Sequence, residues 1–336
     1  MLLSADVVVG LAWGDEAKGK ITSALAATGQ YDAVARWAGG NNAGHTVYVN
    51  GEKYKTHLVP SGVFHGMLSI VGPGCVLHPE EFEKELAYLA GHGFDTSLVK
   101  VSPNCHIVQD EHIEFDKQNL AKKLGTTSKG IAPSYAAKAA RTGLLAKDYY
   151  EGSDILWDGQ LSGVLLCEGA QGAWLDIDHG NYPYVTSSIT LAYGACSIGF
   201  APQLIKSIWG AAKIYDTRSG EDPIFPASLL DDPMLSKVGE IGAEYGVTTG
   251  RRRKVNWLDV DMLIKSINLT GCTHVVVSKC DVLEEAGVYR MYCRGIQNEL
   301  SEFESITDMT GVLETLLRKN CSLLKRVIFS SSPENI

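Results

Sequence analysis

Residues 7–21 read VVVGLAWGDEAKGKI, in which an apolar run leads through a glycine-rich loop into a helical pattern. Gly14 to Lys20 have the GxxxxGK spacing of a phosphate-binding loop, whose backbone N–H groups face phosphate oxygens where a helix begins. Ile21 stands in place of the hydroxyl residue that normally holds Mg²⁺, while Asp15 and Glu16 place two carboxylates inside the loop. Because a carboxylate repels phosphate, we expect Asp15 or Glu16 to bind Mg²⁺, to act as a base, or both. The alternative, a glycine-rich turn with solvent-facing charges, is disfavoured by the spacing and by the strand-to-helix context.

Short apolar runs recur along the chain, and helical patterns lie between them. Runs of this length without alternation are typical of strands buried on both faces of a parallel sheet. These runs are Asp6–Val9, Leu68–Val71, Val164–Cys167, Ile205–Trp209, His274–Ser278 and Arg326–Phe329. They predict an α/β fold with a mostly parallel central sheet, helices on both faces, a phosphate-loop NTPase-like arrangement and smaller inserted subdomains. In such sheets, ligands bind in the loops beyond the carboxyl ends of the strands.

The clearest helical pattern begins at Pro79, since proline suits the first turn of a helix. Phe82, Leu86 and Leu89 share one face, and Gly91 supplies a stop. No repeat or low-complexity linker interrupts the sequence, so we expect a single domain over residues 1–336.

The chain has 336 residues and a formal net charge of −9, from 30 basic and 39 acidic side chains. Such a chain repels nucleic acid and anionic membranes, so neither is an expected partner, and an anionic ligand needs a local cluster of donors. The N-terminus lacks the basic region of a signal peptide. The longest uncharged run, 180–205, is broken by prolines and glycines and does not predict a membrane span. The eight cysteines form no CxxC pair, which favours buried reduced thiols and a cytoplasmic protein.

Two further loops carry candidate functional residues. Residues 39–46 combine three glycines with amide side chains and His45, which could act as an acid or stabilise charge beside a phosphate. A histidine in a turn can equally serve only as a hydrogen-bonding residue, and residue type alone does not decide between the two. The tetrapeptide 278–281 is close to the NKxD guanine-reading element, with Asp281 accepting from guanine N1–H and the 2-amino group and the Lys279 stem covering the base. Together with the phosphate loop, this element predicts a GTP site.

Residues 247–254 end in four successive cations, from Arg251 to Lys254. Arginine side chains bind carboxylate and phosphate in a bidentate manner, and the neighbouring hydroxyls and glycine favour an anion-binding loop over a solvated basic turn. Two more polar loops lie at 125–130 and 168–172, and the second follows an apolar run, which places it at the rim of the sheet.

In this combination and order, the loops resemble the adenylosuccinate synthetase family, GTP-dependent enzymes that join aspartate to IMP. The resemblance covers the whole chain. The matching segments are Trp13–Lys20, Asn42–Thr46, Thr126–Arg141, Glu168–Ser188, Val247–Asp259, Lys279–Asp281 and Ser330–Pro333. The chain is shorter than the common bacterial form, and the stretches 141–171 and 281–330 look trimmed, as in short archaeal-type members.

The resemblance implies a set of site residues. The catalytic residues would be Asp15, His45, Lys18 and Gln171. The GTP contacts would be Gly14, Asp15, Glu16, Ala17, Lys18, Gly19, Lys20, Gly44, His45, Thr46, Arg253, Lys279, Cys280, Asp281, Ser330, Ser331 and Ser332. The IMP contacts would be Asp15, Lys18, Asn42, Ala43, Gly44, His45, Thr127, Arg141, Gln171, Thr186 and Arg251. The aspartate contacts would be Val247, Thr248, Thr249, Gly250, Arg251, Arg252 and Arg253.

The implied reaction passes through 6-phosphoryl-IMP and yields adenylosuccinate, GDP and phosphate, the first committed step from IMP to AMP. Asp15 would be the base on IMP N1 and, with the Gly44 carbonyl, a ligand of one or two Mg²⁺ ions. His45 would stabilise the 6-oxygen and the phosphoryl group. Arg141 would reach the IMP phosphate of a neighbouring subunit, which implies a homodimer.

The sequence departs from the family pattern at three places. Ala17 replaces a loop glycine, Ser128-Lys129 stands where Gly-Arg is usual, and Ser332 replaces a glycine near the guanine pocket. One alternative is the phage-type relative that uses dGMP to make 2-aminoadenylosuccinate, which carries a small residue where this chain keeps Asp15. The other is a GTP-binding switch without ligase activity, which would need neither a loop carboxylate nor a separate arginine loop.

Overall fold

A computed structural model describes residues 1–246, 250–293, 300–332 and 336. The strands are β1 (Leu2–Gly10), β2 (Ala33–Arg36), β3 (His45–Val49), β4 (Glu52–Thr56), β5 (Leu68–Val71), β6 (Val76–Leu77), β7 (Val99–Val101), β8 (His106–Ile107), β9 (Gly163–Glu168), β10 (Ile205–Lys213), β11 (Tyr215–Arg218), β12 (Lys254–Asp259), β13 (His274–Ser278), β14 (Arg290–Tyr292), β15 (Leu300–Glu302) and β16 (Arg326–Phe329). The helices are α1 (Lys18–Ala26), α2 (Pro79–Gly91), α3 (Asp110–Phe115), α4 (Ala121–Leu124), α5 (Ile131–Ala140), α6 (Ala146–Tyr149), α7 (Pro233–Ile241), α8 (Val260–Thr270), α9 (Cys280–Ala286) and α10 (Ile306–Asn320).

The central sheet has eight strands in the order β16-β13-β10-β1-β9-β2-β5-β7. Every neighbouring pair in it is parallel. The carboxyl ends of these strands, and the loops that follow them, therefore lie along one edge of the sheet. This confirms the predicted α/β class with a parallel sheet.

Both faces of the sheet are covered by helices. Val7 and Val9 of β1 belong to one apolar core, which also contains Leu263 of α8 and Leu283 of α9. Val8 points to the opposite face and packs in a second core with Ile21 of α1. Since successive side chains of a strand alternate between faces, an unbroken valine run is what burial on both sides requires.

Smaller units surround the central sheet. Strands β11, β12, β14 and β15 form a second, mixed sheet. Strands β3 and β4 form an antiparallel hairpin, and β6 pairs with β8. A separate apolar cluster holds Val47 of the hairpin together with Phe82 and Leu89 of α2. The expectation of a single domain over the whole chain stays a prediction.

All six predicted apolar runs lie within strands of the central sheet. The predicted helix is also confirmed, because α2 spans Pro79–Gly91 and buries Phe82 and Leu89. Two strands of the sheet were missed, β2 and β7. Their sequences, AVAR and VKV, are short and each contains a basic residue, so they lack the uninterrupted apolar run that identified the others.

The eight cysteines are free thiols, and seven of them are buried. Within the described residues, none of the helices has the length and apolar character needed to span a membrane.

Asp216 of β11 is a buried carboxyl group, with 6% of its surface exposed, that accepts a hydrogen bond from the Asp259 N–H at 2.9 Å. Burial raises the pKa of Asp216 to about 8, and the neighbouring carboxylates of Asp259 and Glu16 act in the same direction. Asp216 therefore links folding stability to pH.

We predict that Asp216→Asn stabilises the protein more at pH 8 than at pH 5, by about 1–3 kcal/mol. Between about pH 4 and pH 8 the unfolded chain gives up a proton that the folded chain keeps, so wild-type stability falls as pH rises through this window. The side chain of asparagine does not titrate, so the variant lacks this contribution to the pH dependence of stability. Urea unfolding at both pH values measures the difference, and a gain that does not change with pH would contradict the assignment.

Candidate active site

The phosphate loop joins Gly10, the end of β1, to Lys18, the start of α1. Its backbone is left-handed at Gly14, Asp15 and Ala17, with φ values of 89°, 65° and 69°. Ala17 caps α1 without a side-chain hydrogen bond, and the first turn of this helix holds no acidic residue. The N-terminal end of α1 is therefore suited to an anion.

Glu16 is buried inside the loop and is fully engaged by neighbouring groups. One carboxylate oxygen accepts from the Gly14 N–H at 2.7 Å and from the Ala12 N–H at 3.1 Å. The other lies 2.7 Å from Lys18 Nζ. Glu16 thus organises the loop from within, which leaves Asp15 as the loop carboxylate that faces the site.

Gly10 is required by this arrangement because the Glu16–Lys18 ion pair passes directly over it. A Cβ at Gly10 would lie 2.5 Å from a Glu16 oxygen and 2.9 Å from Lys18 Nζ. Gly19 allows a second close approach, because a Cβ atom placed on it would lie 3.0 Å from Cβ of His45. His45 consequently packs against the start of α1, next to the phosphate loop.

Asp15 makes its closest charged contact with the predicted anion-binding loop of residues 247–254, called the arginine loop below. Its Oδ2 lies 3.0 Å from Arg253 Nε, and the Ser219 hydroxyl donates to the same oxygen at 3.4 Å. The Asp15 side chain is 29% exposed, against 2% for Glu16. Two predicted sites that are more than 200 residues apart in sequence are therefore joined by one ion pair.

His45 forms a buried hydrogen-bonded pair with Glu168, through Nδ1 of its ring. Glu168, which is the last residue of β9, also accepts from the Ser61 N–H at 2.7 Å and from the Ser61 hydroxyl at 2.9 Å. Burial lowers the pKa of His45, and the charges of Arg36 and Lys18 lower it further, against the raising effect of Glu168. Burial by itself would raise the pKa of Glu168, but His45 and Arg36 hold it below the usual value. Because Nδ1 is held by Glu168, the ring directs Nε2 away from that carboxylate.

Glu168 was quoted in the sequence only as part of a polar loop, and its role as the partner of His45 was missed. Its position at the end of a buried strand was the available signal. Ser61 gave no signal, because it reaches Glu168 from a separate turn of the chain.

The predicted IMP contacts are spread over several loops. Asn42 accepts from the Gly40 N–H at 3.2 Å, which closes a tight turn before Ala43 and Gly44. Thr127 is half-buried, and its loop is fixed by Asp116, which binds the Thr126 hydroxyl at 2.6 Å. The Thr186 N–H donates to the Leu175 carbonyl at 2.8 Å.

Gln171 and Arg251 each lie close to another of the predicted site loops. The backbone of Gln171 is left-handed, with φ 53°. A Cβ atom placed on Gly14 of the phosphate loop would lie 3.7 Å from Gln171 Cα. Arg251 Nη1 lies 3.5 Å from the Ser219 carbonyl and 3.5 Å from a Cβ at Gly125. The loop 125–128, the arginine loop and the turn after β11 are therefore in contact.

Arg141 is exposed in a left-handed conformation at the C-terminal end of α5. Lys129, the cation of the Ser128-Lys129 departure, contacts Glu81 at 3.1 Å.

The predicted guanine-reading element follows β13, and residues 330–332 follow β16, so the two neighbouring strands present them side by side. The Cys280 N–H donates to the Ser330 carbonyl at 3.2 Å. Lys20 joins this pair to the phosphate loop, because its Nζ donates to the Ser330 hydroxyl at 2.8 Å and to the Ser332 carbonyl at 3.0 Å. Burial lowers the pKa of Lys20 to about 8, with Asp281 opposing the shift.

Lys279, Ser331 and Thr46 complete the predicted GTP contacts. Lys279 is left-handed with φ 72° and donates from Nζ to the Gly242 carbonyl at 2.8 Å. Ser331 is exposed, and Thr46 is half-buried on β3.

Three of the predicted aspartate contacts, residues 247–249, lie outside the described residues. On either side of them the loop is closed by backbone contacts, since the Gly250 N–H donates to the Gly246 carbonyl and the Gly246 N–H to the Arg251 carbonyl, both at 2.8 Å. Arg252 is half-buried and Arg253 is buried.

Several buried polar atoms beside this site make no hydrogen bond within the described residues. They belong to Arg36, through Nε and Nη2, to both amide atoms of Asn41 and to Oε1 of Gln171. Arg36 Nη2 and Gln171 Oε1 each lie 3.4 Å from a Cβ built at Gly39. Buried polar groups of this kind are normally matched by a ligand or an ordered water molecule.

The oxygen donors near the phosphate loop fit a magnesium ion that is shared with nucleotide phosphates. Asp15 offers a partly exposed carboxylate, and Mg²⁺ usually takes one or two carboxylates and completes its shell with phosphate and water. In the described parts of the chain, no group of three or more His, Cys, Asp or Glu side chains could hold a metal alone.

We predict that Glu16→Ala destabilises the fold by about 2–4 kcal/mol, because it leaves two loop N–H groups and a buried lysine without their acceptor. Glu16→Gln is the matched control, since its amide oxygen still accepts from the loop while the ion pair is lost, and it should cost less. Chemical denaturation measures both variants. An alanine variant as stable as wild type would show that Glu16 does not organise the loop.

A family model described as adenylosuccinate synthetase matches residues 7–159 and 152–294. Among similar proteins, the adenylosuccinate synthetase of Shouchella clausii is 39% identical over 341 residues, which are 84% of this chain and 78% of that protein. The Streptococcus sanguinis enzyme of the same name is 39% identical over 338 residues, with the same coverage.

Solved structures agree with this match. The fully ligated adenylosuccinate synthetase from Plasmodium falciparum superposes with a TM-score of 0.82 at 26% identity, covering 98% of both chains. The cyanophage S-2L succinoaminodeoxyadenylate synthetase, bound to dGMP and dATP, has a TM-score of 0.76 over 99% of this chain and 94% of that one. At 18% identity, this second likeness concerns the fold alone. The chain belongs to the adenylosuccinate synthetase family.

Proposed function

We propose how the residues of this site carry out the family's reaction, the GTP-dependent ligation of IMP and L-aspartate to adenylosuccinate with release of GDP and phosphate. The observation that carries the proposal is the ion pair between Asp15 and Arg253. It joins a carboxylate inside a phosphate loop to an arginine loop, and an ordinary nucleotide switch has no use for either feature.

In the first step, Asp15 takes the proton from N1 of IMP, so that negative charge moves to the 6-oxygen. The 6-oxygen then attacks the γ-phosphorus of GTP, the bond to the β-phosphate oxygen breaks, and GDP leaves. Lys18 and the N-terminal end of α1 offset the charge that develops on the transferred group. His45 directs Nε2 toward the phosphoryl group, and a phosphate nearby favours its protonated form.

In the second step, the amine of aspartate attacks C6, the bond from C6 to the phosphorylated oxygen breaks, and the leaving phosphate takes the proton that the amine gives up. Arg251 and Arg253 hold aspartate by its carboxylates, for which the arginine fork is suited. Gln171 and Asn42 orient IMP. Mg²⁺ would bind Asp15 and the Gly44 carbonyl, and it supplies charge neutralisation on the GTP phosphates.

Guanine recognition falls to Asp281 and Lys279 after β13, with Ser330 to Ser332 beside them. Asp281 accepts from both N1–H and the 2-amino group, a donor pair that adenine lacks. Lys20 keeps these two loops at a set distance from the phosphate loop through its hydrogen bonds to Ser330 and Ser332.

The omission assay tests this proposal. Phosphate release and product mass are measured with Mg²⁺, GTP, IMP and aspartate, leaving out each in turn and replacing IMP by dGMP. We expect release only with all four and a product with the mass of adenylosuccinate. Turnover of dGMP in place of IMP would favour the phage-type reaction, and GTP hydrolysis without IMP or aspartate would favour a switch.

We predict that Asp15→Asn lowers kcat by at least about 10²–10³-fold, since the N1 proton then has no acceptor. The fold should stay intact, because the Asp15 side chain is partly exposed and the loop is organised by Glu16. Circular dichroism and thermal unfolding provide the control for folding. Near-normal turnover would remove Asp15 from the mechanism.

We predict that Arg141→Leu and Asp15→Asn complement each other when the two inactive variants are mixed and allowed to exchange subunits. In a mixed dimer, one site would combine an intact Asp15 with an intact Arg141 of its neighbour. About a quarter of wild-type activity should return in an equal mixture, since half the dimers are mixed and each has one complete site. No recovery, with exchange verified by mass, would contradict the shared site.

A further inference from the structure

Glu244, which none of the residue assignments above includes, is the centre of a buried group of charged side chains. Its carboxylate lies 2.9 and 2.8 Å from Nζ of Lys213, accepts from the Tyr215 hydroxyl at 2.8 Å, and accepts from Nη1 of Arg253 at 2.6 Å. The Arg253 N–H also donates to the Glu244 carbonyl at 2.9 Å. Glu244 is 1% exposed.

The position of Glu244 connects the sheet edge to the arginine loop. Lys213 is the last residue of β10, the strand next to β1, while Glu244 follows α7 just before the loop. Arg253, at the other end of the loop, is therefore attached to the framework by its backbone and by its guanidinium.

Arg253 has two carboxylate partners that differ in character. Glu244 is buried and makes an aligned hydrogen bond with Nη1. Asp15 is partly exposed, and its contact with Nε at 3.0 Å lacks hydrogen-bond alignment. The contact with Asp15 is thus the weaker of the two and the one open to exchange with an incoming anion.

We propose that Glu244 is a positioning residue for the ligation: it anchors Arg253 so that the guanidinium pairs with Asp15 before substrates bind and turns to the carboxylate of aspartate when they do. This inference rests on the proposed function. The same movement releases the Asp15 oxygen for the N1 proton, so arrival of substrate and availability of the base are coupled through one side chain. Lys213 balances the charge of Glu244 throughout.

The experiment is a double-mutant cycle with Glu244→Gln and Arg253→Met, measuring kcat and KM for aspartate and for IMP. We expect E244Q to lower kcat/KM for aspartate by about 30-fold or more, with the KM for IMP changed less than about threefold. In the R253M background, E244Q should cost less than about threefold further, because a residue that acts through Arg253 has nothing left to position.

Glu85→Gln is the matched control, since Glu85 is a buried glutamate of α2 whose carboxylate accepts from backbone N–H groups of residues 57–59 and not from the arginine loop. It should leave kcat/KM for aspartate near wild type. Should E244Q fail to fold, Glu244→Asp keeps the charge but draws the carboxylate back from Arg253, and it replaces E244Q in the same cycle with the same expectation.

Full additivity of the two substitutions, or wild-type kinetics in E244Q, would overturn the inference while leaving the ligase reaction intact. An equal loss in E85Q would do the same, because the effect would then follow from any buried glutamate. Absence of ligation in the wild-type protein would instead overturn the proposed function itself, and this inference with it.

Discussion

The strands of the central sheet all run in one direction, so their carboxyl ends lie along one edge, and buried charged side chains lie at the ends of three inner strands. Arg36, Glu168 and Lys213 are the last residues of β2, β9 and β10, and each is at most 5% exposed. A buried charge is tolerated only with a partner. Glu168 has His45, and Lys213 has Glu244. The pairing that stability demands at the sheet edge is thus also what orients the residues proposed for catalysis.

The order of the strands arranges the proposed ligands along this edge. The guanine-reading element and residues 330–332 follow the neighbouring strands β13 and β16, and the phosphate loop follows β1 near the middle. Strands β9 and β2, on the other side, lead to the loops proposed to hold IMP. GTP and IMP would therefore meet above β1, where Asp15 lies. The arginine loop approaches the same point from the second sheet, through Arg253.

Local spacing in the sequence predicted the loop that joins β1 to α1. The interval from Gly14 to Lys20 located the phosphate loop, and the unusual carboxylate at Asp15 pointed to a chemical role. Six strands were found from uninterrupted apolar runs, whereas β2 was missed because Arg36 ends it. That arginine cannot be read as buried from its neighbours, since its burial depends on the surrounding strands and loops.

What the sequence could not supply was which side chains are partners in the folded chain. Glu16 and Asp15 look equivalent in the sequence, and only the folded loop shows that Glu16 is occupied by Lys18 and two backbone N–H groups. Glu244 belongs to no motif, and its importance arises from contacts with residues 9 to 31 positions away. Such contacts are set by how the loops close over the sheet edge.

The central claim is that this site phosphorylates the 6-oxygen of IMP before aspartate displaces it. The most direct measurement uses IMP labelled with a heavy oxygen isotope at position 6 and follows the label by mass spectrometry of the products. The account predicts that the label leaves in inorganic phosphate, one atom for each adenylosuccinate formed, and that GDP carries none. Unlabelled phosphate would mean that water attacks GTP, and it would contradict the mechanism.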